Sequence, residues 1–346
     1  MKILIIGPSW VGDMVMSQGL YIELKHRYPH AIIDVLAPSW CGPILNRMPE
    51  INQAIDMPIG HKSLNIKKRW KIGRRLSKKN YTHAFVLPNS AKSALIPLFA
   101  GITQRSGWKG EYRYGLLNDL RPNKRIFQYM VERYVALAST KNNMRNEVSL
   151  DHCPKPRLVT FPEQQTKLRS QFSLYSSREI IGLCPGAEFG PAKRWPDKYY
   201  AEVASYLIEH GKQVWLFGSV KDQDVTNLIQ QSLPLDQQHY CFNLAGKTSL
   251  IDVVDLLACC HTVISNDSGL MHIAAAVGCK IVAIYGSTSP KYTPPLSEDV
   301  IIVNSDIECR PCFKRECPYG HLNCLMQLTP DKIITRINKH SKKTKD

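Results

Sequence analysis

The stretch that most constrains this chain is residues 262–286. It holds two short runs, TVISN at 262–266 and KIVAIYG at 280–286, that are apolar enough to be strands buried on both faces of a parallel sheet. Between them lie Asp267, Ser268 and Gly269, then a short helical stretch carrying His272. Parallel strands joined through a helix demand α/β architecture. A helix that starts at the carboxyl end of a strand leaves its first N–H groups unpaired and turns a positive dipole end outward, which suits a phosphate. Gly269 lets a ligand approach the backbone closely. Taken alone, the same residues also fit an ordinary turn in which Asp267 caps the helix and His272 packs.

A matching elbow stands near the amino terminus. The run KILIIG at 2–7 reads as a buried strand, 8–12 as a tight loop, and Asp13 as the opening of a helix that reaches about residue 28. Further strands are expected at 31–37, 53–57 and 83–88, with helices at 39–48 and 64–79. Residues 141–166, polar and carrying Pro154, Pro156 and Pro162, read as a connection. A second series follows: strands at 179–184, 213–218 and 241–245, helices at 197–210, 222–231 and 249–260, then the pair around Asp267. Its strands end in small or polar elbows, Pro185-Gly186-Ala187, Gly218-Ser219 and Ala245-Gly246, and ligands of open parallel sheets sit at such ends. The expectation is two α/β domains, 1–160 and 161–346, a comfortable division for 346 residues.

No apolar run approaches the ~20 residues of a membrane span, and a cytoplasmic protein is expected. The eleven cysteines agree, being odd in number and mostly in apolar settings such as Cys184, Cys259 and Cys260. Cys309, Cys312, Cys317 and Cys324 begin like half a zinc site. Their later gaps make no second knuckle, although His321 could substitute, so packing of a loop-rich segment is the favoured reading and no metal is assigned.

Charge is divided unevenly. Residues 1–160 hold 25 Lys and Arg against 10 Asp and Glu, and the remainder 20 against 19. Much of the excess lies in 62–79, where basic residues surround Trp70 and Ile72. A solvated helix face is the plain reading of such a run. A basic half beside a neutral one also points to a large polyanionic partner and a small ligand, the polyanion being nucleic acid, an anionic membrane surface or a phosphorylated glycolipid. The loop at 7–12 has P-loop glycine spacing but is followed by Asp13-Met14 rather than Lys and a hydroxyl residue. It is not G-x-G-x-x-G either, so any nucleotide site belongs to the second half.

Five motifs in order then resemble one family: KILII with Gly12-Asp13, Pro185-Gly186-Ala187 with Lys193-Arg194-Trp195-Pro196, Phe217-Gly218-Ser219 with Asp222, Leu244 to Thr248, and Asn266-Asp267-Ser268-Gly269 with His272. Together they resemble the lipopolysaccharide heptosyltransferases across nearly the whole chain. The resemblance implies GT-B architecture, two Rossmann-like domains with parallel sheets facing across a cleft, the first meeting the acceptor and the second the sugar nucleotide. It implies transfer of L-glycero-D-manno-heptose from ADP-heptose to the first heptose of the Kdo-lipid A inner core. Inversion would occur by single displacement, with no required metal or cofactor and no nucleic-acid partner. The place implied is the cytoplasmic face of the bacterial inner membrane, in peripheral contact with its anionic surface.

By the same resemblance Asp13 is the base, at a helix start that favours a carboxylate. Lys193, with N–H groups around Ser268 and Gly269, stabilises the leaving ADP. Asp222 takes the ribose hydroxyls, the backbone around Lys247 and Thr248 reads adenine, and Asp267 with His272 holds heptose hydroxyls. Hydroxyl residues that contact phosphate in a sister enzyme have no equivalent in Gly186-Ala187-Glu188, where backbone donors are expected instead. Alternatives are kept open: within the family, heptosyltransferase I or III activity on a different acceptor, and outside it a nucleotide-sugar epimerase or hydrolase, or a nucleic-acid binder using the basic run.

Overall fold

The computed structural model describes residues 1–60, 63–175 and 177–343; Lys62 of the basic run lies outside them. The chain divides into two compact units, Met1–Val159 and Thr160–Asp346. The first carries a parallel sheet of β1 (Lys2–Ile6), β2 (Ile32–Ala37), β3 (Gln53–Asp56), β4 (His83–Val86), β5 (Gln104–Trp108) and β6 (Asp119–Arg121), in spatial order β3-β2-β1-β4-β5-β6. The second is built from β7 (Glu179–Cys184), β8 (Lys212–Leu216), β9 (Cys241–Asn243), β10 (Thr262–Asn266), β11 (Lys280–Tyr285) and β12 (Val300–Asn304), ordered β12-β11-β10-β7-β8-β9. Numbered within each unit, both sheets read 3-2-1-4-5-6, the doubly wound Rossmann order. The chain reverses direction across the sheet between β1 and β4 in the first unit and between β7 and β10 in the second. Ligands of such sheets bind beyond the carboxyl ends of the strands at those points.

Hydrophobic burial on both faces holds each sheet. Every residue of β10 and β11 is buried, and so are four of the five in β1. In the first unit Leu4, Ile6, Val86 and Leu117 join Ile72, Leu76, Ala94 and Ile96 from the covering helices. In the second, Ile264, Val282 and Ile284 meet Trp195, Tyr200 and Leu207. Each such Leu or Ile contributes roughly 1.5–3 kcal/mol by leaving water.

Three expectations change. Strands β5 and β6 are unexpected because QRSGW and DLR lack an apolar pattern, and β12, VIIVN, is a further strand despite having one; β5 needs its Gly107, since any Cβ there would stand 2.9 Å from the Val86 carbonyl oxygen. The helix expected at 39–48 is a 3-10 turn, Ser39–Cys41, followed by one turn, Gly42–Leu45. The connection expected at 141–166 narrows to the junction at 159–160. Buried Gln18 pairs both ways with the Arg157 backbone, at 2.7 and 2.9 Å, and Val159 N–H bonds to the Arg47 carbonyl, so residues to 159 are sewn to the first unit. Pro162 then starts the helix Pro162–Gln171, its fixed φ suiting a first helical position.

Helix Ile66–Ser77 lies on helix Ala91–Phe99 with almost no gap. A Cβ at Gly73 would stand 2.5 Å from that of Phe99 and 3.0 Å from the Ile96 oxygen. Gly73→Ala should therefore lower stability by about 1–3 kcal/mol, despite the better helix propensity of Ala, read as an earlier thermal transition.

Candidate active site

In the first unit β1 ends at Ile6, and Gly7 N–H continues the ladder to the Leu36 carbonyl. The helix begins at Val11, two residues before expected, with Trp10 in extended conformation as its cap, which places Asp13 within the first turn. The Tyr134 hydroxyl donates to Asp13 Oδ1 at 3.2 Å, from helix Met130–Val135. Trp40 donates its indole N–H to the Ser9 carbonyl at 3.0 Å, so Trp10 and Trp40, both largely exposed, flank the elbow. Neither tryptophan nor Tyr134 was identified from the sequence, although Trp10 sits inside the elbow itself.

In the second unit the switch point between β7 and β10 gathers most of the expected residues. Asn266, fully buried at the end of β10, donates to the Pro185 carbonyl at 2.6 Å and accepts from the Trp195 N–H and the Tyr200 hydroxyl, each at 3.1 Å. One amide thus ties β10 to the β7 elbow and to helix Asp197–Glu209. The β7–β10 register, with Cys184 opposite Ser265, brings the elbow Pro185-Gly186-Ala187 to the same sheet edge as Asp267, and Pro191–Lys193 forms a 3-10 turn. Lys193 Nζ meets Asp267 Oδ2 at 2.6 Å and the Asp267 carbonyl at 3.2 Å. The Thr288 hydroxyl donates to the same Oδ2 at 2.6 Å. Asp267 is 4% exposed, so this is a buried ion pair completed by a neutral hydroxyl.

Asp267 does not cap the following helix. Ser268 occupies the cap position, and Gly269–Ala276 begins immediately after it, leaving the first N–H groups of that helix beside the ion pair. His272 is buried one turn in. Burial pushes its pKa down to about 4, with Asp267 raising it and Lys193 lowering it, so the imidazole is neutral at neutral pH.

Asp222 closes a capping box, accepting from both the N–H and the hydroxyl of Ser219 through Oδ2, at 2.9 and 2.7 Å. Its carboxylate also lies 2.6 Å from where a Cβ on Gly186 would stand, so Gly186 is the residue that lets β7 and this acid sit together. Lys247 and Thr248 follow Gly246, whose φ of +69° turns the loop after β9 and whose α-carbon faces the Gln223 side chain. Two groups result: Gly186, Ala187, Lys193, Asp267, Ser268, Gly269 and His272 around the switch point, and Asp222, Lys247 and Thr248 beside it at β8 and β9. Thr288 was missed. Its signal was a further small, polar elbow, Gly286-Ser287-Thr288, after β11.

Cys309, Cys312, Cys317, Cys324 and His321 line one small cavity with Ser287 and Ala192. Among the described residues, no three His, Cys, Asp or Glu side chains are placed to hold a metal ion. The segment straps the site instead: Arg315 accepts from Ala192 N–H at 3.0 Å and Phe313 donates to the Ser287 carbonyl at 2.8 Å.

The sequence profile of glycosyltransferase family 9 (heptosyltransferase) matches residues 69–323. The chain belongs to this family. Among the relatives of this heptosyltransferase, lipopolysaccharide heptosyltransferase 2 of Escherichia coli K12 is 51% identical over 340 residues, 98% of each chain. Lipooligosaccharide heptosyltransferase 2 of Haemophilus influenzae is 51% identical over 345 residues, 98% of this chain and 99% of the relative. The solved structure of E. coli ADP-heptose LPS heptosyltransferase II superposes with a TM-score of 0.88 at 48% identity, covering both chains fully. The fold is GT-B and the protein is a glycosyltransferase.

The buried His272 makes stability pH-dependent. Its folded pKa lies below the ordinary 6.5, so the unfolded chain takes up the proton first, and stability is lost as pH falls from about 6.5 towards 4. The loss attributable to this residue should reach about 3 kcal/mol. His272→Leu should flatten the fall of melting temperature over that interval, while a variant with an unchanged slope would place the dependence elsewhere.

Proposed function

We propose that this heptosyltransferase moves L-glycero-D-manno-heptose from ADP-heptose to the first heptose of the lipopolysaccharide inner core, with inversion. The observation that carries the reading is the Lys193–Asp267 ion pair beside the opening N–H groups of helix Gly269–Ala276. A diphosphate needs fixed positive charge and unpaired donors, and both converge there. Asp267 holds the ammonium in place and, with neutral His272, offers hydroxyl-binding groups to the sugar. Asp222, against Gly186, takes the ribose hydroxyls, and the backbone at Lys247 and Thr248 takes the base.

In the displacement the acceptor hydroxyl forms its bond to the anomeric carbon as the bond from that carbon to the diphosphate oxygen breaks. Asp13 accepts the hydroxyl proton, and Tyr134 orients its carboxylate. Lys193 and the N–H groups of Ser268 and Gly269 stabilise the charge growing on ADP. No metal or cofactor takes part in this scheme. The strongly basic first half suits a phosphorylated glycolipid at the cytoplasmic leaflet of the inner membrane. No helix among the described residues is long and apolar enough to cross a membrane, which accords with a peripheral enzyme.

Two measurements test the scheme. Offered Kdo-lipid A and its mono-heptosylated form, the enzyme should transfer heptose only to the second; transfer to the first would change the acceptor, and donor turnover at full rate without acceptor would make it an epimerase or hydrolase. Asp13→Asn should lower kcat by about 10²–10⁴ with ADP affinity unchanged. A smaller loss would remove Asp13 as the base.

A further inference from the structure

Helix Ile66–Ser77 carries a feature that the transfer reaction does not use. Its buried side consists of Arg69, Ile72, Gly73 and Leu76. Leu64, Ile66 and Trp70 stand 52%, 52% and 51% exposed at its amino-terminal end. Ile66 and Trp70 are one turn apart and form an apolar edge. Beside that edge Lys67, Lys71, Arg74 and Arg75 all face solvent.

The apolar edge is rigidly presented. Arg69, only 4% exposed, donates through Nε to the Leu64 carbonyl at 2.6 Å and through Nη2 to the Ser63 carbonyl at 3.0 Å. Asn65, in left-handed conformation, caps the helix by accepting from Lys68 N–H at 3.3 Å. A buried guanidinium is thus committed to holding the segment that turns Leu64 and Ile66 outward. Gly73, pressed on Phe99, fixes the helix beneath them.

We infer that this face is a docking surface for an anionic lipid bilayer, with Leu64, Ile66 and Trp70 entering the headgroup region and the flanking cations meeting lipid phosphates. Tryptophan and aliphatic side chains beside lysines and arginines match the interface of a membrane. A second copy of the chain fits poorly, since a self-complementary contact would bring the same cations together. Nucleic acid would use the cations and could stack on Trp70, but gives Leu64 and Ile66 nothing to bind. The inference rests on the reading that the acceptor is a membrane glycolipid, and it names the surface that would bring the enzyme to it.

The test is flotation of the full chain with vesicles of phosphatidylcholine, with and without phosphatidylglycerol. Binding should require the anionic lipid and weaken with salt. Each cation removed should cost about fivefold in affinity. Ile66→Ser with Trp70→Ser should weaken flotation about tenfold or more, and Lys67→Glu with Lys71→Glu should abolish it. The apolar double variant should still transfer heptose at the wild-type rate to a deacylated acceptor in solution, and the charge-reversed variant should keep the wild-type melting temperature, which shows that both are folded. Wild-type protein that fails to float with anionic vesicles, or an apolar double variant that floats undiminished, would overturn the inference. So would tighter binding to single-stranded RNA than to vesicles. Absence of transfer to the soluble acceptor by wild-type protein would instead sink the activity reading, whatever the flotation shows.

Discussion

The ion pair between Lys193 and Asp267 is the interaction on which the donor chemistry proposed for the second unit depends. A carboxylate buried to this degree is tolerable only with a partner charge and satisfied hydrogen bonds, and Lys193 with Thr288 provides both. The residue before it does the structural part. Asn266 binds the β7 elbow, the Trp195 backbone and Tyr200, so two consecutive residues at one strand end join scaffold to site. Everything proposed for the donor follows from that junction lying at the sheet's switch point, where a βα elbow leaves helix N–H groups open.

The two units repeat one topology with different elbows. In the first, the β1 elbow presents Asp13 with Tyr134 on its carboxylate and two exposed tryptophans alongside. In the second, the β7 and β10 elbows present a lysine, backbone donors and a neutral buried imidazole. The division of charge runs the same way, with the excess positive charge almost wholly in the first half. A basic half with a carboxylate suits an anionic, proton-losing acceptor, and a nearly neutral half with one placed lysine suits a nucleotide sugar.

Much of this was legible because strand ends in a parallel sheet have few options. Runs such as KIVAIY leave no doubt about burial, and the small residues after them mark where backbone or ligand must come close. Gly186 illustrates the point: its lack of a side chain is what admits the Asp222 carboxylate. Other features were not legible. β5 and β6 take their place from neighbours rather than from their own pattern. Thr288 needed the knowledge that β11 lies next to β10. Arg69 sits in a run of cations whose plain reading is a solvated face, and only its contacts with Ser63 and Leu64 distinguish it from the lysines around it.

Dependence of donor binding on this pair is measured by titration of ADP into the wild-type enzyme and into the double variant Lys193→Met with Asp267→Asn. Neutralising both partners removes the ion pair without leaving a buried charge alone, so the fold should survive. The double variant should bind ADP at least about tenfold more weakly, the worth of roughly one charge-assisted contact, and transfer no heptose. A folded double variant that binds ADP as tightly as the wild type would contradict that dependence.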